Sequence, residues 1–444
     1  VSAIILCSLL LALLILVGVP VGYAMGVAGA IGLWLYGGTE ALTGILATAP
    51  YRQSASWLLV ALPMFVLMAE LMNTAGMSRR LFRAVDVWLR RVPGNLAVAT
   101  VVSTALFGAI SGSSSAATAT MAKTAIPEMQ RYRYDDRLAL GTVASAGSLA
   151  MLIPPSVVLI IYGILAEVSI GDLFLAGIVP GILTAGLYVV VVMGWVRLRP
   201  GIVASERDLA RVGASVGAEP DAPPSEEITW ADRLASLRDL GPVLLLFVAI
   251  MGGIYSGLST VTEAAAVGAG GALLLTLAGR SIDMRSFLRA LAETAKTTGM
   301  VFTIIIGAHI FGYLLTLTRA TESVVGFIEG LPVPPWVVLA TLLVMYLLLG
   351  FVMDQLAILV LTIPLVFPVI VDLGYNPVWF GILIVKTVEI GLATPPLGLN
   401  VFIGSSISGI SLSKGFRGVS RFVVADLLLL VLLALFPGIV LLPL

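Results

Sequence analysis

Two adjacent prolines occur twice inside long apolar runs, and this constrains the chain more than any other feature. Pro154-Pro155 lies in the stretch Gly147–Ser156, and Pro395-Pro396 in Glu389–Asn400. Two consecutive prolines remove two backbone donors and push the preceding residue out of helical geometry, so a helix built on either run must break there. The surroundings are membrane-like: 59% of the chain is hydrophobic, 11% is charged and mean hydropathy is +1.08. That composition defines a polytopic membrane protein. In a bilayer core, carbonyls freed by a helix break are tolerated only when buried in protein or facing a wet cavity. Many transporters hold cations with such broken helices.

At roughly 20 residues per span, the apolar runs allow about ten or eleven spans plus re-entrant pieces. Residues 2–17 and 21–36 read as two spans joined by a tight turn. The first lacks a basic start and a cleavage site, so it does not read as a signal peptide. A polar connection (38–54) leads to a span at 55–76. Residues 78–91 place apolar side chains at helical spacing opposite a basic face, which suits a helix lying in the interface. The segment 95–130 is interrupted by Gly108–Ser115 and flanked by arginines at both ends, so it reads as a re-entrant hairpin with a Gly/Ser tip. A broken helix (138–167) and a returning span (172–196) follow. The long polar stretch 197–238 reads as a cytoplasmic linker. Spans are then expected at 240–257 and 263–279, a second basic amphipathic piece at 280–290, and a span at 293–316. A second hairpin (336–371), a second broken helix (378–408) and a last span (422–442) complete the chain. The expected division is N-terminal scaffold spans (1–77), a first repeat (78–196), the linker (197–238) and a second repeat (239–444).

Charge supports this threading. Assigning 78–94, 131–137, 197–238, 280–289 and 409–421 to the cytoplasm puts 20 of the 25 Lys and Arg residues there, a strong positive-inside bias. The first hairpin then inserts from the cytoplasm and the second from outside. The halves also echo one another: Pro127 to Pro154 and Pro368 to Pro395 both span 27 residues. Insertion from opposite sides makes the repeats inverted. The expected fold is an all-α polytopic membrane protein with inverted repeats, each holding a re-entrant hairpin and a broken helix. The single cysteine, Cys7, excludes an internal disulfide and a thiolate metal site.

A Gly/Ser hairpin tip facing a helix break can surround a hard cation with neutral oxygens, which suits a monovalent ion better than a divalent one. The first pocket combines Gly108, Ser111 and Ser113 with Ala150, Ile153, Pro155 and Ser156, mostly through carbonyls. The second combines Gly350 with Gly391, Thr394 and Leu397. The plainer alternative is that small residues only let helices pack closely. Its recurrence beside a Pro-Pro break in both halves favours ion sites. A substrate between the tips has Ser113, Ser114, Thr394 and Asn400 as hydroxyl and amide contacts.

At these residues the chain resembles the large membrane subunit of tripartite ATP-independent periplasmic (TRAP) transporters. The matching stretches are Ser111-Gly112-Ser113-Ser114, Ala125-Ile126-Pro127-Glu128-Met129, Ile153-Pro154-Pro155-Ser156 and Thr394-Pro395-Pro396-Leu397-Gly398-Leu399-Asn400. The resemblance implies a sodium-coupled, elevator-type importer of small organic acids in a bacterial or archaeal cytoplasmic membrane, and not an enzyme. It also implies a small membrane subunit and a periplasmic substrate-binding protein as partners. With one pocket per repeat, two or more coupling Na+ ions are expected; the remaining partners are lipid and a small organic anion, with no nucleic acid. Ala150 departs from the family pattern, which has glycine four residues before the first Pro-Pro. The second repeat keeps it as Gly391.

Ionisable groups expected within the membrane zone are Glu70, Lys123, Glu263, Asp354, Lys386 and Glu389, each needing a partner, water or a helix end. Asp354 either caps the second hairpin or tunes the ion site. Lys386 and Glu389, three apart on one helix, are expected to pair. The sole histidine, His309, reads as a hydrogen-bonded core residue. No Gly-rich phosphate loop followed by Lys-Ser/Thr is present, so transport must draw on a gradient. Two other readings remain: a single-component sodium–carboxylate transporter of the same plan, and an intramembrane serine protease using Ser111 or Ser113 with His309.

Overall fold

A computed structural model describes residues 2–203, 229–330 and 332–444, with the side chains of Ser2, Ala3 and Glu329 excepted. Most of the expected cytoplasmic linker lies outside the described residues. The described residues form helices and connecting turns, without a strand. In chain order the α-helices are α1 (Ser2–Leu16), α2 (Val21–Ser54), α3 (Ala61–Thr74), α4 (Met77–Leu89), α5 (Asn95–Ser111), α6 (Ser114–Arg131), α7 (Asp136–Ser148), α8 (Val157–Leu165), α9 (Ile170–Leu198), α10 (Trp230–Tyr255), α11 (Val261–Ala278), α12 (Met284–Leu317), α13 (Ala320–Glu329), α14 (Pro335–Gly350), α15 (Gln355–Asp372), α16 (Pro377–Ala393), α17 (Leu399–Ser408), α18 (Leu412–Leu435) and α19 (Pro437–Leu441).

Among the described residues, eight helices are long and apolar enough to cross a membrane. Of the ten spans expected, both Pro-Pro segments are divided and α1 has only 15 residues, while α15, an arm of the second hairpin, is among the eight. Helices α7 and α8 have 13 and 9 residues, and α16 and α17 have 17 and 10; each half-helix is shorter than a bilayer requires. Three boundaries differ from expectation. Residues 38–54 are helical and continue α2 past a kink at Gly38, whose φ of 72° is in the left-handed region. The 280–290 piece mostly runs unbroken into the following span, as α12. Residues 320–329, between the span expected at 293–316 and the second hairpin, form α13.

The helices pack as two groups. One contains α1–α4 and α10–α12. Its centre is the α2–α12 crossing, which glycines bring to backbone contact: a Cβ on Gly22 would lie 2.7 Å from the Ile304 Cα, and one on Gly29 2.8 Å from the Phe311 N. Small residues promote such close approach where lipid removes the usual hydrophobic drive. The second group contains both hairpins (α5–α6 and α14–α15), both broken helices (α7–α8 and α16–α17), α9 and α18. Here α7 and α18 meet through Gly141 and Gly418. Helix α4 buries Leu81, Phe82 and Val85 and exposes Arg79, Arg80 and Arg83, as its periodicity predicts. At its end, Asn95 donates to Asp86 Oδ1 (2.9 Å) and Tyr134 donates to Asn95 Oδ1 (3.0 Å), tying the base of the first hairpin to α4 and the α6–α7 turn. Burial pushes the Asp86 carboxyl above the ordinary range, against the opposing effects of Arg90 and Asn95.

Candidate functional site: two hairpin tips on one cavity

Helix α5 ends because Gly112 adopts φ 57°, and α6 restarts with Ser113 as its N-cap, accepting from the Ala116 amide. The tip rests on the first break. A Cβ on Gly112 would lie 2.9 Å from the Pro155 carbonyl oxygen, and one on Gly108 2.8 Å from the Ala150 Cα. The second hairpin repeats the arrangement: a Cβ on Gly350 would lie 2.9 Å from the Gly391 Cα. Gly108 and Gly350 therefore occupy matching places, each against the residue four positions before a Pro-Pro pair.

Gly108 and Gly112 thus bring the first hairpin tip against Ala150, Pro155 and Ser156. The Ser156 hydroxyl spans the break, donating to the Met151 carbonyl (2.6 Å) and accepting from the Leu159 amide (3.4 Å). Ser111 and Ser113 lie at the tip, the Ser111 hydroxyl 3.5 Å from the Ser113 carbonyl. In the second pocket the Thr394 amide donates to the Gly391 carbonyl (3.0 Å) and the Thr394 hydroxyl to the Ile390 carbonyl (2.6 Å). Leu397 is 53% exposed, so a contribution from it rests on its carbonyl. Among the described residues, no group of three or more His, Cys, Asp or Glu side chains is placed to hold a metal ion. Both breaks carry neutral carbonyl and hydroxyl oxygens.

The Thr394 geometry sets an expectation for its side chain. Its proton bonds back to the helix while its oxygen lone pairs stay free to meet a cation, so Thr394→Val should raise the sodium concentration for half-maximal uptake about fivefold, equivalent to about 1 kcal/mol. A sodium titration that overlays the parent curve would remove the Thr394 side chain from the ion site.

Both tips line one cavity of about 990 Å³ between the two helix groups. The first hairpin contributes Ser111, Gly112, Ser113 and Ser115; the second contributes Asp354, Gln355 and Ala357. The opposite wall is formed by Tyr23 of α2, Glu70 and Asn73 of α3, and Thr297 and Thr303 of α12. Of the expected substrate contacts, only Ser113 lines this space. Ser114 and Asn400 are buried and bonded to each other (3.1 and 2.8 Å), and Asn400 also donates to the Ala144 carbonyl (3.2 Å), which pins α17 to α6 and α7. These two side chains and Thr394 are not among the lining residues. Asp354 caps α15, accepting from the Leu356 amide (3.1 Å), while also lining the cavity.

Sequence reasoning also missed partners. Lys386 does pair with Glu389 (3.3 Å), but its closer carboxylate is Asp426 of α18 (2.6 Å). Asp426 was legible as a lone charge in the apolar run Phe422–Leu435, yet was not counted. Glu70, expected within the membrane zone, lines the cavity. Glu263 instead caps α11 in a capping box with Thr260. His309 Nε2 is buried without a hydrogen-bond partner, contrary to the expectation of a bonded core histidine.

Eight span-length apolar helices and two divided helices, with two hairpin tips converging on a shared cavity, define a multi-pass membrane transport protein. Residues 8–439 match the family model described as the tripartite ATP-independent periplasmic transporter, DctM component, and the chain belongs to that family as its large permease subunit. It is 34% identical over 417 residues to the C4-dicarboxylate TRAP transporter large permease protein DctM of Pseudomonas aeruginosa, covering 94% of this chain and 92% of that one. It is 31% identical over 380 residues to the sialic acid TRAP transporter large permease protein SiaM of Vibrio cholerae, covering 85% and 84%. Among solved structures it is similar to the Alcanivorax borkumensis YdaH transporter, with a TM-score of 0.58 over 97% of this chain and 98% of that one. At 14% identity this likeness shows the fold alone. The family consists of transport permeases, so the serine-protease reading falls.

Proposed function

We propose that this chain is the membrane permease of a sodium-coupled importer of small organic acids, working by an elevator motion in the bacterial or archaeal inner membrane. A small membrane subunit and a periplasmic binding protein complete the system. The relatives named for C4-dicarboxylates and sialic acid support an organic acid as cargo. The observation that carries the coupling is the charge of the cavity. Two carboxylates, Glu70 and Asp354, line it, and no Lys or Arg does among the described residues. An anion placed there needs compensating positive charge, because an uncompensated charge in a low-dielectric site is costly. Two or more Na+ ions in the neutral-oxygen pockets beside the tips supply it. Broken helices pair ion and substrate binding in this way in many secondary transporters.

The elevator reading rests on the two helix groups. The group holding both hairpins is the moving part, and the α2–α12 group is the frame. The cavity wall is built from the start of α2, the end of α3 and Thr297–Ile304 of α12, close in sequence to the basic α4 and 280–289 segments. Under the positive-inside assignment the structure is therefore inward-facing. Uptake into proteoliposomes with the complete system should require an inward sodium gradient and no ATP. Undiminished uptake in sodium-free medium driven by a proton gradient would overturn the sodium assignment.

A further inference from the structure

The two ion pockets are joined by a direct side-chain bond. Ser148 stands six residues before Pro154, and Glu389 stands six residues before Pro395. These matching positions of the two broken helices meet: the Ser148 hydroxyl donates to Glu389 Oε1 at 2.7 Å, sharing its proton with the Ser145 carbonyl at 2.6 Å. Both residues are almost fully buried and neither lines the cavity. Each is two residues from a hairpin contact, since Ala150 abuts Gly108 and Gly391 abuts Gly350. A continuous path therefore runs from one hairpin through Ala150, Ser148, Glu389 and Gly391 to the other hairpin.

The path is held from the side. Lys386 Nζ faces Glu389 Oε2 at 3.3 Å and donates to Asp426 Oδ1 (2.6 Å) and Thr184 Oγ1 (3.2 Å). Tyr188 donates to the other Asp426 oxygen (2.6 Å). Helices α9 and α18 thereby fix the Glu389 carboxyl, leaving Ser148 as the bond that reports the position of one break to the other.

We infer that Ser148 and Glu389 are positioning residues that couple the two cation sites, so that filling one pocket favours filling the other. An ion drawing the first hairpin onto its break sets α7, and through Ser148 sets α16, in the place the second pocket requires. Linkage makes the effect reciprocal. The inference rests on the sodium-coupled reading above.

The test is a sodium titration of the purified transporter with its small subunit, read as bound radiolabelled Na+ with choline holding the ionic strength constant. The parent should respond sigmoidally with a Hill coefficient of about 2, the number of pockets. Ser148→Ala should fall to a coefficient of about 1, and its melting temperature in choline should also fall because a buried carboxylate loses a donor. Glu389→Gln, whose amide can donate to the Ser148 oxygen while its carbonyl accepts from Lys386, should retain the parent's steepness. A purely structural bond would lower the melting temperature without changing the slope. A Ser148→Ala curve as steep as the parent's overturns the coupling and leaves the sodium reading standing. A parent with no sodium response overturns both.

Discussion

Replacing Lys386 with methionine is expected to remove most of the folded, monodisperse transporter. Lys386 is fully buried and carries the positive charge that faces two buried carboxylates, Glu389 and Asp426. Methionine fills a similar volume, so packing is nearly conserved and the effect isolates the charge. Breaking a buried pair by removing one partner costs about 3–5 kcal/mol, because the remaining charge is left uncompensated. Folded proteins have a net stability of only about 5–15 kcal/mol, so such a loss is a large share of the whole. Lys386→Met together with Asp426→Asn should recover much of it, since the amide still accepts from Tyr188 and one unpaired carboxylate is gone. Size-exclusion profiles and melting temperatures of the single and double variants check this. A Lys386→Met protein that elutes and melts like the parent would mean that the network is not paired as described.

That network shows where sequence reasoning stopped. The Pro-Pro pairs located both helix breaks, because proline acts locally through its missing amide hydrogen. The hairpin tips were legible from Gly/Ser content bounded by arginines. Pairing between helices distant in sequence was not legible. The i,i+3 spacing exposed Lys386 and Glu389 to view, whereas Asp426 is 40 residues away and reaches them only through the packing of α16 on α18. The bond between Ser114 and Asn400 was illegible for the same reason. Their residue types suit a binding site equally well, and only the fold, which brings α6, α7 and α17 together, decides that they bond to one another. Thr394 illustrates a local competitor: a threonine in a last helical turn can bond back to the carbonyl four residues earlier, and does so here. The helicity of 38–54 was missed because its polar composition and the Gly37-Gly38 pair outweighed the absence of a proline from there to Pro50.

The second large effect is expected at Gly391. In the first repeat the hairpin glycine packs against Ala150; in the second it packs against another glycine, and the contact has closed accordingly. A Cβ on Gly391 would lie 2.6 Å from the Gly350 Cα, 2.9 Å from the Gly350 carbonyl carbon and 3.0 Å from the Leu347 carbonyl oxygen. All three are backbone atoms, so no side-chain rotation can make room; α14 must move away from α16. Overpacking of this kind costs about 1–3 kcal/mol, and here it also displaces the tip that completes the second pocket. Gly391→Ala should therefore raise the sodium concentration needed for half-maximal uptake about tenfold or more, equivalent to about 1.4 kcal/mol. Ala150→Gly, the reverse change at the matching position, removes one methyl and creates no clash. It should cost about 0.8 kcal/mol of packing and shift the sodium curve little. The contrast separates a steric wedge at the hairpin from a general intolerance of change beside the prolines. If Gly391→Ala overlays the parent sodium curve, the second hairpin does not rest on α16 in the sodium-binding state, and Gly350 with Gly391 is not part of an ion site.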